Sequence, residues 1–370
     1  MTPASSGDGL NELSGRQDPR LMRALEFVAP GTPLREGIDN IIHASTGALI
    51  VIGETEDISF MFSGGLQLGV DYTPALLYQV AKMDGSIVLD PEARKICWAN
   101  VQLMPDPTIH SSETGTRHRT AERVSKQTKA LVIAISARRD VVSIYIEGIK
   151  YILEDITTVL SKANQGLAAM DKYRAHLDRV TARLTSLEFT GSASLYDVLT
   201  VLQRAELLLR TAHVVERQII ELGAEGRLIE MQLEESLLGV LADREALIRD
   251  YASDDSEATL DATIAGLAQL SQHELLELGS LAEMLGADRA VDPHDLQVSP
   301  RGYRALGRIP RLPRLVGQKV IHRFGSLEGI LDASFTELSE TDGVGESRAI
   351  DIREGLDRLR DAEAFDRHTQ

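Results

Sequence analysis

The feature that most constrains this chain is a change of pattern near residue 153. Before it, short β-branched runs alternate with helix-like segments, Pro74–Met83 and Thr120–Thr128. Several of the runs are continuously apolar, which is typical of strands in a sheet covered on both faces. The pattern therefore predicts an N-terminal α/β domain with a mixed sheet. The predicted strands are Ala48–Ile52, Ser86–Leu89, Lys95–Leu103, Ala130–Ile135 and Val141–Ile146.

After Leu153 the strand signals stop, and apolar residues recur every three or four positions, as on one face of a helix. The first stripe comprises Ile156, Leu160, Ala163, Leu167, Met170, Leu177, Leu184 and Leu187. A second stripe starts at Leu195, and helical patterns continue to Leu285. Such stripes are buried either within one chain or between subunits, and the sequence leaves both open. This region is predicted to be a helical spine.

These patterns, together with the proline-containing linker at 286–300, predict four segments. Residues 1–20 are predicted to form a mobile tail, 21–152 an α/β domain, 153–300 the helical spine with its linker, and 301–370 a small helical module. The fold class is thus multidomain, α/β plus α.

Composition excludes several classes of protein. The single cysteine, Cys97, leaves no internal disulfide and no thiolate zinc site. No apolar stretch approaches the roughly 20 residues of a membrane span, and residues 1–13 lack the pattern of a signal peptide. We therefore expect a cytoplasmic protein without a membrane partner.

The net charge of −17 is unevenly distributed. Within 301–325 there are seven basic residues and no acidic one, on an otherwise acidic chain. Such a block is either a local anion-binding surface or a solvated linker, and charge alone does not separate the two.

The C-terminal module carries a second signal. Ser334 and Glu337 form a capping-box pattern that opens a helix, and a following helix starts after Gly343-Val-Gly345. Glycine allows backbone N–H groups to approach a phosphate at a helix N-terminus. The pattern resembles a helix-hairpin-helix motif, and 309–325 resembles its degenerate partner half. A tight helical turn without a ligand is the competing interpretation.

In the N-terminal domain, Thr116 is predicted to cap a helix whose first turn holds Arg117, His118 and Arg119. Cations there oppose the helix dipole, so a bound triphosphate explains the cluster better than stability does. Ser136 closes a predicted strand, where ligand contacts are common in α/β sheets. Asp84-Gly85 alone is a weak turn signal. Neither a P-loop nor a dinucleotide fingerprint is present.

Three segments together are more specific: Asp84-Gly85-Ser86, residues 100–106 and residues 112–123. They resemble the Asp-Gly-Ala and Arg-His-Arg signatures of diadenylate cyclases. With the helical spine and the C-terminal motif, residues 21–360 resemble the family of bacterial DNA integrity scanning proteins. The resemblance implies condensation of two ATP into cyclic di-AMP with release of two pyrophosphates, and a homo-octamer with face-to-face cyclase domains. It also implies binding of branched DNA, which lowers activity.

The resemblance also implies roles for individual residues. Asp84 is the catalytic carboxylate that holds Mg²⁺ or Mn²⁺. DNA contacts through the backbone, without sequence readout, fall to Gly343, Gly345, Arg348 and Lys319, which implies association with the nucleoid. ATP binding falls to Gly85, Ser86, Leu103, Thr116, Arg117, His118, Arg119, Thr120 and Ser136.

One departure and one alternative accompany this assignment. Ser86 stands where the family usually has alanine, and its added hydroxyl implies a modest effect on nucleotide fit. The alternative function is a DNA-binding structural or sensor protein whose nucleotide domain senses ATP without catalysis.

Overall fold

In this computed structural model, residues 18–137 and 141–366 are described. The predicted tail lies outside the described residues except for 18–20, and helix α1 (Pro19–Val28) already begins there with Asp18 as its N-cap. By backbone contacts the chain divides into two compact units. The N-terminal unit holds the described residues up to Gln165 and also Val215–Met231; the C-terminal unit holds Gly166–Val214 and the described residues from Gln232 onward.

The N-terminal unit contains one mixed sheet. Its strands are β1 (Ala48–Ile52), β2 (Phe62–Ser63), β3 (Leu66–Asp71), β4 (Ser86–Leu89), β5 (Lys95–Leu103), β6 (Leu131–Ser136), β7 (Val141–Ile146) and β8 (Ile149–Ile152). Their order is β2-β5-β4-β1-β6-β7-β8, and β3 also pairs with β5. Strand β1 runs parallel to β4 and antiparallel to β6. The predicted strands are confirmed to within one residue at each end, whereas β2, β3 and β8 were not predicted.

Helices cover both faces of this sheet, as the apolar strands predicted. The helices are α1, α2 (Pro33–His43), a short α3 (Thr55–Ile58), α4 (Pro74–Val80) and α5 (Thr116–Gln127). On β1, Ile50 packs into one core with α1, α2 and α4, and Val51 packs into a second core with α5. Alternate residues of one strand thus serve opposite cores, which explains the absence of a polar face.

The predicted spine is helical throughout most of its length. The first stripe forms a single helix of 34 residues, α6 (Ile156–Phe189). The helices that follow in this region are α7 (Leu195–Leu222), α8 (Arg227–Leu237), α9 (Val240–Tyr251), α10 (Glu257–Gln269), α11 (Gln272–Leu276) and α12 (Leu278–Met284). Most of the first stripe is buried within the chain, including Ala163, Met170 and Leu184. No helix in the described part of the chain is long and apolar enough to cross a bilayer.

The C-terminal residues form short helices and one long one around their own core. They are α13 (Tyr303–Gly307), α14 (Arg314–Phe324), α15 (Leu327–Asp332), α16 (Phe335–Ser339) and α17 (Glu346–Asp366). The predicted capping box is present, since Ser334 and the N3 residue Glu337 bond reciprocally at the start of α16.

The first residues of the basic block at 301–325 form neither an anion-binding surface nor a solvated linker. Arg304 is 4% exposed and forms an ion pair with the buried Glu188 of α6. Arg301 donates to the carbonyl oxygens of Arg249, Asp250, Ala252 and Ser253. Both expectations are therefore wrong for these two arginines, because their charges are satisfied inside the C-terminal unit.

Asp250 is a further buried polar residue beside Arg301 and Arg304. Its carboxylate accepts the backbone N–H groups of Gly302, Tyr303 and Arg304, at 2.7, 2.7 and 2.9 Å. Burial raises the pKa of Asp250 to about 7. The carboxylate thus supplies acceptors for the first turn of α13, which no side-chain cap serves.

Replacing Glu188 by alanine should destabilise the protein strongly. The change leaves the buried guanidinium of Arg304 without its anionic partner, at a cost of about 3–5 kcal/mol of unfolding free energy. Urea unfolding measures it. Asp357→Ala is the control, because it removes an exposed pair with Arg360 and should cost about 1 kcal/mol or less. Equal losses in both variants would contradict a structural role for the buried pair.

Candidate functional site

Sheet register brings the candidate residues to one edge of the sheet. Ile50 lies opposite Ile87 on the parallel strand β4, and Ala48 lies opposite Ile135 on the antiparallel strand β6. The starts of β1 and β4 and the end of β6 therefore share an edge. Ser86 begins β4 there and Ser136 ends β6 there. The two predicted segments, 50 residues apart in sequence, belong to one site region.

The turn at Asp84-Gly85 fits closely against strand β5. A Cβ atom added to Gly85 would lie 2.3 to 2.7 Å from backbone atoms of Asn100 and Val101, so only glycine fits. The Gly85 N–H donates to Oδ1 of Asn100 at 3.1 Å. Asn100 itself adopts a φ of +51°, a conformation that asparagine tolerates better than most residues. Asn100 therefore positions the turn, a role that sequence reasoning missed.

Asp84 is exposed and makes no hydrogen bond or ion pair with any described residue. Its carboxylate is thus available to a ligand. Within the described ranges, no group of three or more histidine, cysteine or acidic side chains could enclose a metal ion. A single carboxylate suits Mg²⁺ when substrate phosphates and waters supply the other oxygens. Asp84 fits a metal that arrives with a nucleotide.

Helix α5 begins without a side-chain cap. The N-cap is Gly115, and the prediction of Thr116 as N-cap is wrong: Thr116 is the first helical residue. The first turn contains Arg117, His118 and Arg119 and no acidic residue. The predicted conflict between cations and helix dipole is present, and the N-cap residue Gly115 supplies no side-chain acceptor to this turn.

The three basic side chains of this turn have different surroundings. Arg119 donates to the carbonyl oxygens of Glu113 and Thr114 at 3.3 and 3.4 Å. The ring of His118 lies edge-on to that of the buried Tyr145, with centroids 6.4 Å apart. Arg117 is half-buried and has no hydrogen bond or ion pair to another described residue. Arg117 is therefore the member of the cluster best available to an anion.

Gly47 makes room for Arg117. A Cβ atom there would lie 2.5 Å from a guanidinium nitrogen of Arg117 and 3.0 Å from the carbonyl oxygen of Ile135. This places the guanidinium at the same sheet edge as the end of β6. No sequence signal distinguished Gly47 from an ordinary turn glycine.

The loop before α5 is held by side chains that sequence reasoning missed. Arg123 donates to the carbonyl oxygens of Pro107 and Ile109, and the buried Glu122 accepts from Ser111. Burial raises the pKa of Glu122, but hydrogen bonds from Lys126 and Ser111 outweigh it, so the net pKa is lowered. Glu122 thus stays ionised and fixes the loop that leads to the basic turn.

The remaining predicted ATP-binding residues occupy different depths. Ser86 is buried at the start of β4, and Thr116 is exposed. Thr120 and Ser136 are half-buried. Leu103 is 6% exposed and packs in the core beneath α5. Its side chain therefore supports the wall of the site from the core side.

In the C-terminal unit, the turn that holds Gly343 and Gly345 lies between helices α16 and α17. Gly343 has a φ of +83°, and the intervening Val344 is fully buried. A Cβ atom on Gly345 would meet no atom within 4 Å, so this backbone is open to a partner. Lys319 pairs with Asp342, and Arg348 donates to the carbonyl oxygen of Gly343. All four predicted DNA-binding residues thus lie around one turn.

Comparison with known proteins covers the N-terminal domain and the helical region by family models. Residues 35–150 match the family model of the DisA bacterial checkpoint controller nucleotide-binding region, and residues 153–293 match that of its linker region. DNA integrity scanning proteins DisA from Carboxydothermus hydrogenoformans, Symbiobacterium thermophilum and Clostridium botulinum are 49%, 48% and 46% identical. The alignments cover 93%, 93% and 95% of this chain and 98%, 97% and 99% of those proteins.

Substitutions at Asn100 should separate its two contributions to the turn. Asn100→Ala introduces left-handed strain and removes the acceptor for Gly85 N–H, which should cost about 1–3 kcal/mol of stability. Asn100→Gly removes the acceptor without introducing strain and should cost less. Asn100→Asp keeps an acceptor oxygen and tolerates the left-handed conformation, so its loss of stability should be the smallest. Urea unfolding ranks the three variants. Equal losses for alanine and glycine would refute the strain, and a loss for aspartate as large as for alanine would refute the hydrogen bond.

Proposed function

Because the chain belongs to the family of DNA integrity scanning proteins, we propose that it is a diadenylate cyclase. It condenses two ATP molecules into cyclic di-AMP and releases two pyrophosphates. The observation that carries the proposal is that two charged side chains without partners lie at the same edge of the sheet. The exposed carboxylate of Asp84 and the free guanidinium of Arg117 lie there beside a helix start without a side-chain cap.

Each group has a role that its surroundings support. The triphosphate lies at the N-terminus of α5, where its oxygens accept hydrogen bonds from Arg117 and from backbone N–H groups of the first turn. His118, Arg119, Thr116 and Thr120 line the same helix start. Gly85 allows the nucleotide to approach the turn, Ser86 and Ser136 border the sheet edge, and Leu103 backs the wall of the adenosine pocket. The hydroxyl of Ser86 modestly alters the fit.

The reaction joins a ribose 3′-hydroxyl to the α-phosphorus of a second ATP, with pyrophosphate leaving. Asp84 would hold Mg²⁺ or Mn²⁺ near that hydroxyl, and a cation there would supply Lewis-acid chemistry: a lower pKa for the hydroxyl and neutralisation of phosphate charge. Arg117 orients the phosphates, and its charge stabilises the oxygens that become more negative as the P–O bond breaks.

Product formation requires two nucleotides that face each other. Each α-phosphate must meet the 3′-hydroxyl of the other ATP, and two copies of the domain related by a two-fold axis provide that symmetry. The proposal therefore includes face-to-face pairs of cyclase domains within a homo-octamer.

The α16–α17 hairpin is proposed as a helix-hairpin-helix that binds the DNA backbone. Its open turn at Gly345 presents N–H groups at the start of α17, and Arg348 and Lys319, the latter paired with Asp342, lie beside it. Such contacts carry no base readout. Branched DNA lowers cyclase activity in this proposal, and DNA binding places the protein at the nucleoid.

Replacing Asp84 by asparagine should abolish cyclic di-AMP synthesis while stability is retained, since the carboxylate has no partner in the fold. ATP is incubated with Mg²⁺ or Mn²⁺, and pyrophosphate and cyclic dinucleotide are measured, with urea unfolding in parallel. Asp71→Asn, an exposed carboxylate on β3, is the matched control and should keep full activity. Near-normal product from Asp84→Asn would remove it from the mechanism. ATP binding without product in the unmodified protein would favour the non-catalytic sensor.

Replacing Gly345 by aspartate should weaken binding to a four-way DNA junction by about tenfold or more, because a carboxylate then faces the phosphates. The new side chain has open space, so the fold should persist. Gly345→Asn is the control of equal size without charge, and its loss should be smaller. Affinity is titrated against salt and should fall steeply. Unchanged binding by the aspartate variant would place the DNA site elsewhere.

A further inference from the structure

The C-terminal unit contains a cleft of about 190 Å³ that the proposed cyclase and DNA sites do not use. Helices α6, α7, α9 and α13 form its walls, and Arg308 follows α13. Four arginines line it: Arg174, Arg244, Arg304 and Arg308. Guanidinium groups gathered in one partly buried cleft recognise planar or tetrahedral oxyanions through paired N–H donors.

The strongest single observation is an orphaned donor on Arg244. Its Nε is buried and has no hydrogen-bond partner, while one of its other nitrogens donates to Glu206 at 3.0 Å. A buried N–H without an acceptor costs free energy, and native structures nearly always satisfy such a group. An acceptor from outside the chain would remove that cost.

The arginines are held in place by other contacts. Arg174 donates to Asp178 and to the carbonyl oxygens of Ser236 and Leu238. Arg304 pairs with Glu188, and Arg308 donates to Thr185. The guanidinium groups are therefore preorganised, which lowers the entropic cost of binding a ligand.

Carboxylates limit the charge that the cleft can accept. Asp178 and Asp243 also line it, and Glu188 and Glu206 contact two of the arginines. The positive charge is thus largely balanced, and a small anion fits better than a polyanionic chain. The volume far exceeds the roughly 10–15 Å³ that one water needs, and Leu177, Val201 and Leu247 contribute an apolar wall.

We propose that this cleft binds a small phosphate-type oxyanion, either free or as the phosphate group of a small molecule. The ligand accepts from Nε of Arg244 and joins α9 to α6 and α13. Because α13 begins the C-terminal helices, occupancy stabilises their packing on the helical region of the same unit.

The test measures thermal unfolding of the full chain in inorganic phosphate and in chloride at equal ionic strength. Phosphate should raise Tm by about 2 °C or more at saturation. All proteins carry Arg117→Ala to weaken phosphate binding at the cyclase site, and the cleft variants described next identify any shift that comes from another phosphate site. This also separates the result from the proposed catalysis. If phosphate leaves Tm unchanged relative to chloride, the proposal is overturned.

Two variants locate the effect. Ala182→Leu fills the cleft with an apolar side chain, and Arg244→Lys keeps the charge toward Glu206 while removing the Nε donor. Each should weaken phosphate binding about tenfold or more. Arg210→Lys is the control, since Arg210 donates to carbonyl oxygens of Leu267 and Leu270, outside the cleft. An unchanged shift in either cleft variant, or an equal loss in the control, would overturn the assignment.

A second arm distinguishes the sources of the oxyanion. Pyrophosphate is compared with inorganic phosphate in the same unfolding assay. Tighter binding of pyrophosphate identifies a phosphate-bearing small molecule, and tighter binding of inorganic phosphate identifies the free ion. Either result supports the site if Ala182→Leu abolishes the ligand-dependent shift in Tm.

Discussion

The pairing of β1 with one parallel and one antiparallel neighbour is the constraint on which the candidate site depends. Because β4 runs with β1 and β6 runs against it, the starts of two strands and the end of a third meet at one edge. The site takes Asp84 and Gly85 from the turn before β4 and Ser136 from the end of β6. A slip of one residue in either pairing would move these groups apart and turn buried side chains toward the opposite core.

The groups with the clearest chemical roles are the ones that the fold leaves unpartnered. Asp84 and Arg117 have no hydrogen bond or ion pair to another described residue, while their neighbours do. Asn100 holds the turn beside Asp84, and Arg119 ties the start of α5 to the preceding loop. Rigid surroundings thus hold free reactive groups, which is the arrangement that both phosphate binding and metal-assisted transfer need.

Arginine has two opposite uses in this chain. Arg117 has no hydrogen bond or ion pair to another described residue, whereas Arg304 forms an ion pair with a buried carboxylate inside the C-terminal unit. Both lie in basic stretches of sequence, so charge alone cannot tell them apart. Desolvation decides between them, because a buried guanidinium needs a partner within the protein and a half-exposed one does not.

The sequence by itself determined the elements whose signals are local. Five strands, the long helix α6 and the capping box at Ser334 and Glu337 follow from periodicity and short-range hydrogen bonds, and the motif segments led to the family. Tertiary structure alone decided the rest. The contact of Gly85 with Asn100 spans 15 residues, the burial of Arg304 depends on a helix more than 100 residues earlier, and β2 and β8 are too short for a periodic signal. Gly115 rather than Thr116 became the cap of α5, since the geometry of the preceding loop sets where a helix begins. Such contacts depend on which distant segments share a surface, and no local pattern of residues encodes that.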